Sequence, residues 1–249
     1  MTVTVKAATD LGLRRSHNED HHASWFDDDA KGRGVLLVIA DGMGGARGGE
    51  VASHLAVETV IGTYRQASGG GVLSDLTRSV EAANQAVHAQ SLADPRLHGM
   101  GTTCTAMVVL DHEAFIAHVG DSRAYMLREG RLRQLTQDHS LVAQLVQSRQ
   151  ITPEQAKSDP RRNLVTRSIG VSKSVAIDSS HVDGPLGDGD TLVLCTDGLH
   201  GLVSDTELAE IASRQDLEKA CHDLIGLANR RGGHDNITVM LARVGEDHA

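Results

Sequence analysis

The run Val35-Leu36-Leu37-Val38-Ile39-Ala40 is apolar at every position and stops directly on Asp41-Gly42. Such a segment reads as a buried strand that runs into a turn, so a carboxylate is carried to the edge of the core. The pattern recurs. Asp121 follows Ala117-His118-Val119-Gly120, Asp197 follows Leu192-Val193-Leu194-Cys195-Thr196, and Asp235 precedes Ile237-Thr238-Val239-Met240-Leu241. Asp20 closes Asn18-Glu19-Asp20 near the start of the chain. A single Asp-Gly pair is also what a tight turn requires. A set gathered at one end of a sheet is different, because clustered carboxylates repel one another and hard divalent cations relieve that repulsion. Oxygen donors without nearby histidine–cysteine sets favour magnesium or manganese over zinc or copper. An aspartate shared by two ions holds them ~3.5–4 Å apart, a spacing suited to activating water against a phosphoryl group. Arg15, five residues before Asp20, offers a bidentate fork for a phosphoryl dianion, and Arg14 is its adjacent competitor. From residues alone the chain reads as a metal-dependent phosphoryl hydrolase.

The periodicity supplies the surroundings. Helical spacing runs over 47–64 and again over 73–87, with Gly69-Gly70-Gly71 between. Strands are expected at 102–110 and 113–119 across Asp111-His112, then at 123–127 and 131–135 across Arg128-Glu129-Gly130. A helix at 140–149 precedes Thr152-Pro153-Glu154-Gln155, which carries an N-cap, a first-turn proline and a third-position glutamine. Strands return at 174–182 and 191–196. Ser204 and Glu207 form a capping box, Leu217, Cys221, Leu224, Ile225 and Ala228 give a second helix its apolar face, and 237–244 is the closing strand. The expectation is one α+β domain over residues 1–249, with antiparallel sheets covered by helices. With only five aromatic residues, the core must rest on Val, Leu, Ile and Ala.

Charge and cysteine usage exclude several classes. With 24 Lys+Arg against 33 Asp+Glu the net charge is −9, which disfavours a sequence-independent nucleic-acid binder. No apolar run approaches the ~18 residues of a membrane span, and Met1-Thr2-Val3-Thr4-Val5-Lys6 lacks a signal-peptide pattern. Cys104, Cys195 and Cys221 are far apart with no CxxC, as buried thiols of a reducing compartment would be. A cytoplasmic monomer is expected.

Taken in order, the motifs resemble the protein phosphatase 2C family in its bacterial form. Asp10-Leu11-Gly12-Leu13-Arg14-Arg15-Ser16-His17-Asn18-Glu19-Asp20 is similar to that family's D-x-G-x-x-R-x-x-N-E-D. Ala40-Asp41-Gly42-Met43-Gly44-Gly45, Gly49-Glu50-Val51-Ala52-Ser53, Met100-Gly101-Thr102-Thr103 and Val119-Gly120-Asp121-Ser122-Arg123 follow. Thr136-Gln137-Asp138-His139-Ser140, Arg162-Asn163-Leu164-Val165-Thr166-Arg167, Thr196-Asp197-Gly198-Leu199 and Gly233-His234-Asp235-Asn236 complete the series.

The resemblance implies a central β-sandwich of two antiparallel sheets flanked by helices, with metals in a cleft at one end. It implies two catalytic Mn²⁺ or Mg²⁺ ions and a third, weaker one. Asp41 would bridge the two catalytic ions, and Gly42 would lend its carbonyl. Asp197 and Asp235 would complete the first site, Glu19 and Asp20 would hold the second mainly through water, and Asp121 would join Asp197 at the third. Arg15 takes the phosphate-binding position over Arg14, and Asn236 would orient Asp235. Water between the ions would attack a seryl or threonyl phosphate in line, without a phosphoenzyme. The implied partners are phosphorylated proteins, a bacterial Ser/Thr kinase and its targets.

Three departures stand out. Met43 occupies the place of the histidine that eukaryotic members use as proposed general acid; His139 or water on a third metal are the alternatives. Asp159 stands where many bacterial relatives have a histidine, two residues before the arginine read as Arg161. In the flap-like segment 141–165, Ser148-Arg149-Gln150 replaces a stretch in which relatives carry glycine, and Arg149 is a candidate for selecting acidic substrates or simply a solvated helix end. Two other readings stay open: a catalytically inactive, phosphatase-like binding module, and a sigma-factor-regulating phosphatase acting on an anti-sigma antagonist.

Overall fold

The computed structural model describes residues 1–27, 32–44 and 48–245. Gly45 of the Asp41 motif and position 47, where helical spacing begins, lie outside the described residues. In chain order come β1 (Thr2–Asp10), β2 (Asp20–Phe26), β3 (Val35–Met43), α1 (Gly48–Gln66) and α2 (Val72–Ala93). Next are β4 (Gly101–Thr102), β5 (Cys104–Leu110), β6 (Glu113–Val119), β7 (Arg123–Arg128), β8 (Arg131–Gln134), α3 (Leu141–Gln147) and α4 (Pro153–Ser158). The chain closes with β9 (Asp178–His181), β10 (Thr191–Cys195), α5 (Asp197–His200), α6 (Asp205–Ala212), α7 (Leu217–Arg230) and β11 (Ile237–Gly245).

The strands make two antiparallel sheets, β1-β11-β10-β7-β8 and β2-β3-β5-β6-β9, with β4 beside β3. The apolar hexapeptide explains the layering. Leu37 and Ile39 of β3 meet Leu192, Leu194 and Met240 of the other sheet, while Leu36, Val38 and Ala40 point the opposite way onto Ala56, Val57 and Val60 of α1. Successive strand residues face opposite sides, so a strand with a sheet on one face and helices on the other must be apolar throughout. Beyond the second sheet, Val193, Val239 and Leu241 pack on Leu208, Leu224 and Ala228 of α6 and α7. The order is helices, sheet, sheet, helices, as expected.

Local signals account for most boundaries. Asp111 (φ 47°) and His112 (φ 66°), like Glu129 (φ 49°) and Gly130 (φ 73°), have the paired positive φ of two-residue hairpin turns. Thr152 and Gln155 form the expected capping box, as do Ser204 and Glu207. Two departures concern edges. β1 and β2 are edge strands that the sequence reading passed over, because polar or half-exposed residues alternate along them. The strand expected over 174–182 reduces to Asp178–His181, itself an edge.

Segment 141–165 leaves and rejoins the body at one point. Leu141 N–H donates to the Leu164 carbonyl (2.8 Å), and Thr166 N–H donates to that of His139 (2.7 Å). Inside it, α3 ends at Gln147, two residues before Arg149, whose φ is +57°. Gln150 N–H reaches back to Leu145 O (2.8 Å) and Arg149 N–H to Val146 O (2.9 Å), the paired bonds of a left-handed helix stop. That conformation is where glycine belongs. Replacing Arg149 by glycine is therefore expected to stabilise the protein by about 1 kcal/mol, a Tm rise of roughly 2–4 °C by calorimetry; a lower Tm would mean that the arginine side chain itself supports the segment.

Candidate functional site

A cleft of about 490 Å³ opens at one end of the sandwich, and Arg15, Glu19, Asp41, Asp121, Asp197 and Asp235 line it. These carboxylates come from both sheets. Register pairs Asp20 with Asp41 across β2 and β3, and β10 and β11 deliver Asp197 and Asp235 from the facing sheet. Gly42 lets the walls close: a Cβ there would lie 2.1 Å from the Gly49 carbonyl oxygen and 2.5 Å from that of Glu19. Gly42 N–H also donates to Glu19 O at 3.1 Å.

Threonines hold the acids. Asp41 N–H donates to Thr103 Oγ1 (2.8 Å), and the Asp41 carbonyl accepts from Thr102 Oγ1 (2.9 Å). Asp20 Oδ2 accepts from Thr196 Oγ1 (2.9 Å) and Thr238 Oγ1 (2.6 Å). Asp20 thus stands behind the cleft wall instead of lining it, buried at 7% exposure. Sequence reasoning missed these threonines, although each lies within three residues of a singled-out aspartate or in the Gly101-Thr102-Thr103 motif.

Asn236 differs from expectation. Its side chain does not reach Asp235: Oδ1 accepts from Glu19 N–H (2.8 Å), and Nδ2 donates to the carbonyls of Leu11 and His17, both at 3.0 Å. It pins the loop that carries Arg15 and Glu19, while only its main-chain N–H meets Asp235 Oδ1 (2.9 Å). An amide side chain has both donors and an acceptor, so it can bind a whole loop where an aspartate neighbour needs only one bond.

The electrostatics of the cleft are those of too many acids in too little water. Burial, then the charges of neighbouring carboxylates, raise Asp41 well above the usual range. Burial pushes Asp20 up to about 7 despite its threonines, Asp121 to about 8 and Asp197 to about 6, with the other aspartates adding to each. Glu19 is raised by burial, and Arg15 and the Gly49 N–H oppose the rise. Arg15 answers part of the charge, its Nη2 2.6 Å from Asp235 Oδ2. Asp20 Oδ1 and Asp197 Oδ1 are buried without any hydrogen-bond partner.

Orphaned carboxylate oxygens among mutually repelling acids fit hard divalent cations. Among the described residues, no three carboxylate, histidine or cysteine heads close around one point. The fit is therefore to hard ions that complete their shell with water, as magnesium and manganese do.

The remaining candidates separate clearly. Met43 lines the cleft and offers no proton. His139 is 3% exposed, occupied by Gly120 and Asp178, and not in the cleft. Asp159 is held ionised by Arg161, whose guanidinium bonds it at 2.8 Å. Arg149 is exposed and does not line this cleft. His17, Asn163 and Val165 also line the cleft, although spacing gave them no role.

Comparison with known proteins agrees with this geometry. The family model described as protein phosphatase 2C matches residues 14–242. The serine/threonine phosphatase stp of Listeria monocytogenes is 38% identical over 238 residues, 94% of this chain and 92% of that protein. The crystal structure of the Mycobacterium tuberculosis serine/threonine phosphatase PstP/Ppp superposes with a TM-score of 0.89 at 38% identity, covering 99% of this chain and 100% of that one. The PstP catalytic domain in complex with two manganese ions gives 0.83 at 36% identity, covering 98% and 99%.

Proposed function

The chain belongs to the protein phosphatase 2C family, and on that premise we propose that its acidic cleft hydrolyses phosphoserine and phosphothreonine in proteins with the help of divalent cations. The observation that carries this reading is the pair of orphaned oxygens, Asp20 Oδ1 and Asp197 Oδ1, within a ring of acids that raise one another's pKa. An inactive binding module would have no use for such a costly arrangement, so that alternative is not favoured.

Asp41, Asp197 and Asp235 would hold one catalytic ion, and the Gly42 carbonyl would serve one of the two catalytic ions. Asp41 would also hold the second, with Glu19 and Asp20 acting on it mainly through water, and Asp121 with Asp197 would hold a third, weaker one. Mn²⁺ or Mg²⁺ at these positions supplies Lewis acidity against phosphoryl charge and activates a water nucleophile. Arg15 binds the phosphoryl oxygens through its fork and withdraws negative charge as the leaving oxygen departs. Asn236 keeps the Arg15 loop in place from the far side. Physiological substrates would be phosphoproteins of a bacterial Ser/Thr kinase system, met in the cytosol by a monomer acting as one catalytic domain. Among the described residues no helix is long and apolar enough to cross a membrane.

The test is hydrolysis of a phosphothreonine peptide with Mn²⁺ and with Mg²⁺. Turnover should appear with metal and vanish with chelator; no turnover with either metal would return the binding-module reading. Arg15→Ala should lower kcat/KM by about 10²–10³, and Arg15→Lys should fall between, since it keeps the charge and loses the fork. Equal rates for all three would remove Arg15 from phosphate binding.

A further inference from the structure

Asp121 stands on a turn with an unusual backbone. Gly120 has φ +115°, and a Cβ there would lie 2.5 Å from the Thr103 side chain, the same threonine whose hydroxyl holds Asp41. Glycine adopts this φ without strain, so what locates the turn is the bonding of its peptide groups. Two histidines do this, His139 buried and His200 half-buried. His139 grips Gly120 twice: its main-chain N–H donates to the Gly120 carbonyl (2.7 Å), and its Nδ1 lies 3.0 Å from the Gly120 N–H. His200 Nε2 lies 2.9 Å from the Asp121 carbonyl oxygen.

The partners fix the tautomers. A ring nitrogen that meets an N–H must accept, so His139 carries its proton on Nε2 and gives it to Asp178 Oδ2 at 3.1 Å. Asp178 is itself held by Arg167 at 2.7 Å through its other oxygen. A ring nitrogen facing a carbonyl must donate, so His200 also carries its proton on Nε2. Both rings are committed to the backbone of the Gly120–Asp121 turn, and neither lines the cleft.

We propose that His139 and His200 are positioning residues: together they clamp the Gly120–Asp121 turn and thereby set how tightly the Asp121 side of the cleft binds a divalent cation. The inference rests on the reading in which Asp121 is a cation ligand. A ligand whose backbone can swing pays for ordering at each binding event, and partners that remove this freedom are typically worth about 10–100-fold in metal affinity.

Binding of Mn²⁺ alone, followed by the electron paramagnetic resonance signal of the free ion and by calorimetry, tests this without an activity readout. Asp121→Ala should lose the weakest Mn²⁺ equivalent. His200→Leu should weaken that equivalent about 10–100-fold and leave the tighter ones as they are. His200→Gln, whose amide can still donate to the Asp121 carbonyl, should recover most of the loss. At the other histidine, Asn can imitate Nδ1 and Gln can imitate Nε2. His139→Asn should therefore bind better than His139→Gln, although Gln is the larger and fills more of the site. This Asn–Gln contrast carries the test if His200→Leu does not fold, as thermal unfolding would reveal. Wild-type Mn²⁺ binding in His200→Leu, or an inverted Asn–Gln order, alongside a lost equivalent in Asp121→Ala, overturns the clamp while sparing the ligand role of Asp121. If Asp121→Ala keeps every equivalent, both the ligand assignment and the clamp fall.

Discussion

Asparagine in place of Asp41 should abolish phosphatase activity and, in the chelated protein, raise the melting temperature. The two effects have one cause. Asp41 sits in a desolvated cleft where the charges of Asp20, Asp197, Asp121 and Asp235 all oppose its ionisation. Asparagine has the same shape and no charge, so the metal-free fold loses a repulsive centre at little packing cost. A gain on the order of 1–2 kcal/mol is expected, a Tm increase of roughly 2–8 °C. With metal present the same change would remove a carboxylate proposed as a metal ligand, and cations contribute several kcal/mol to phosphoryl chemistry. Each 1.36 kcal/mol is tenfold, so kcat should fall by about 10³ or more. Scanning calorimetry in chelator together with the phosphopeptide assay checks both. A lower Tm in chelator would mean that the Asp41 carboxylate makes a stabilising bond that outweighs the repulsion.

The second large effect is a loss of stability with rising pH in the metal-free protein, which metal counteracts. The folded-state values of Asp197, Asp20 and Asp121 are raised to about 6, 7 and 8, whereas unfolded aspartate titrates near 3.9. Between those limits the folded state holds more protons than the unfolded one, so its stability falls as pH rises. In chelator, the Tm should accordingly drop as pH is raised from about 5 to 8. Cations bind the ionised acids, so their stabilisation grows over the same range. The difference in Tm between Mn²⁺-loaded and chelated protein should therefore widen from pH 6 to pH 8. A constant difference would show that the acids are ionised throughout and that burial does not raise them.

Asp20 shows why the first of these effects belongs to Asp41. Its Oδ2 is satisfied by two threonine hydroxyls, so replacing it also breaks bonds that hold the two sheets together. Asp41 has no comparable side-chain partner among the described bonds, and its main chain, not its carboxylate, is what Thr102 and Thr103 hold.

Much of this was legible beforehand, and the reason is local. An apolar run that stops on Asp41, capping boxes at Thr152 and Ser204, and hairpin turns at Asp111-His112 and Glu129-Gly130 are all written in contiguous residues. Contiguous patterns govern backbone dihedrals and strand faces directly. The order of the motifs likewise brought Arg15, Glu19, Asp41, Asp121, Asp197 and Asp235 forward together, and they share one cleft. The edge strands β1 and β2 escaped because their partners supply the burial that their own composition does not signal.

What the sequence determined by itself, then, was the layered α+β fold and the set of acids at its rim, since each depends on short stretches of hydrophobic pattern. Only the tertiary structure decided how those acids are held. Asn236 turned out to bind the Arg15 loop, Thr196 and Thr238 to hold Asp20 behind the wall, and His139 and His200 to grip the Asp121 turn. Such bonds join residues up to 225 positions apart. A hydrogen bond depends on distance and direction in space, and no spacing along the chain encodes either.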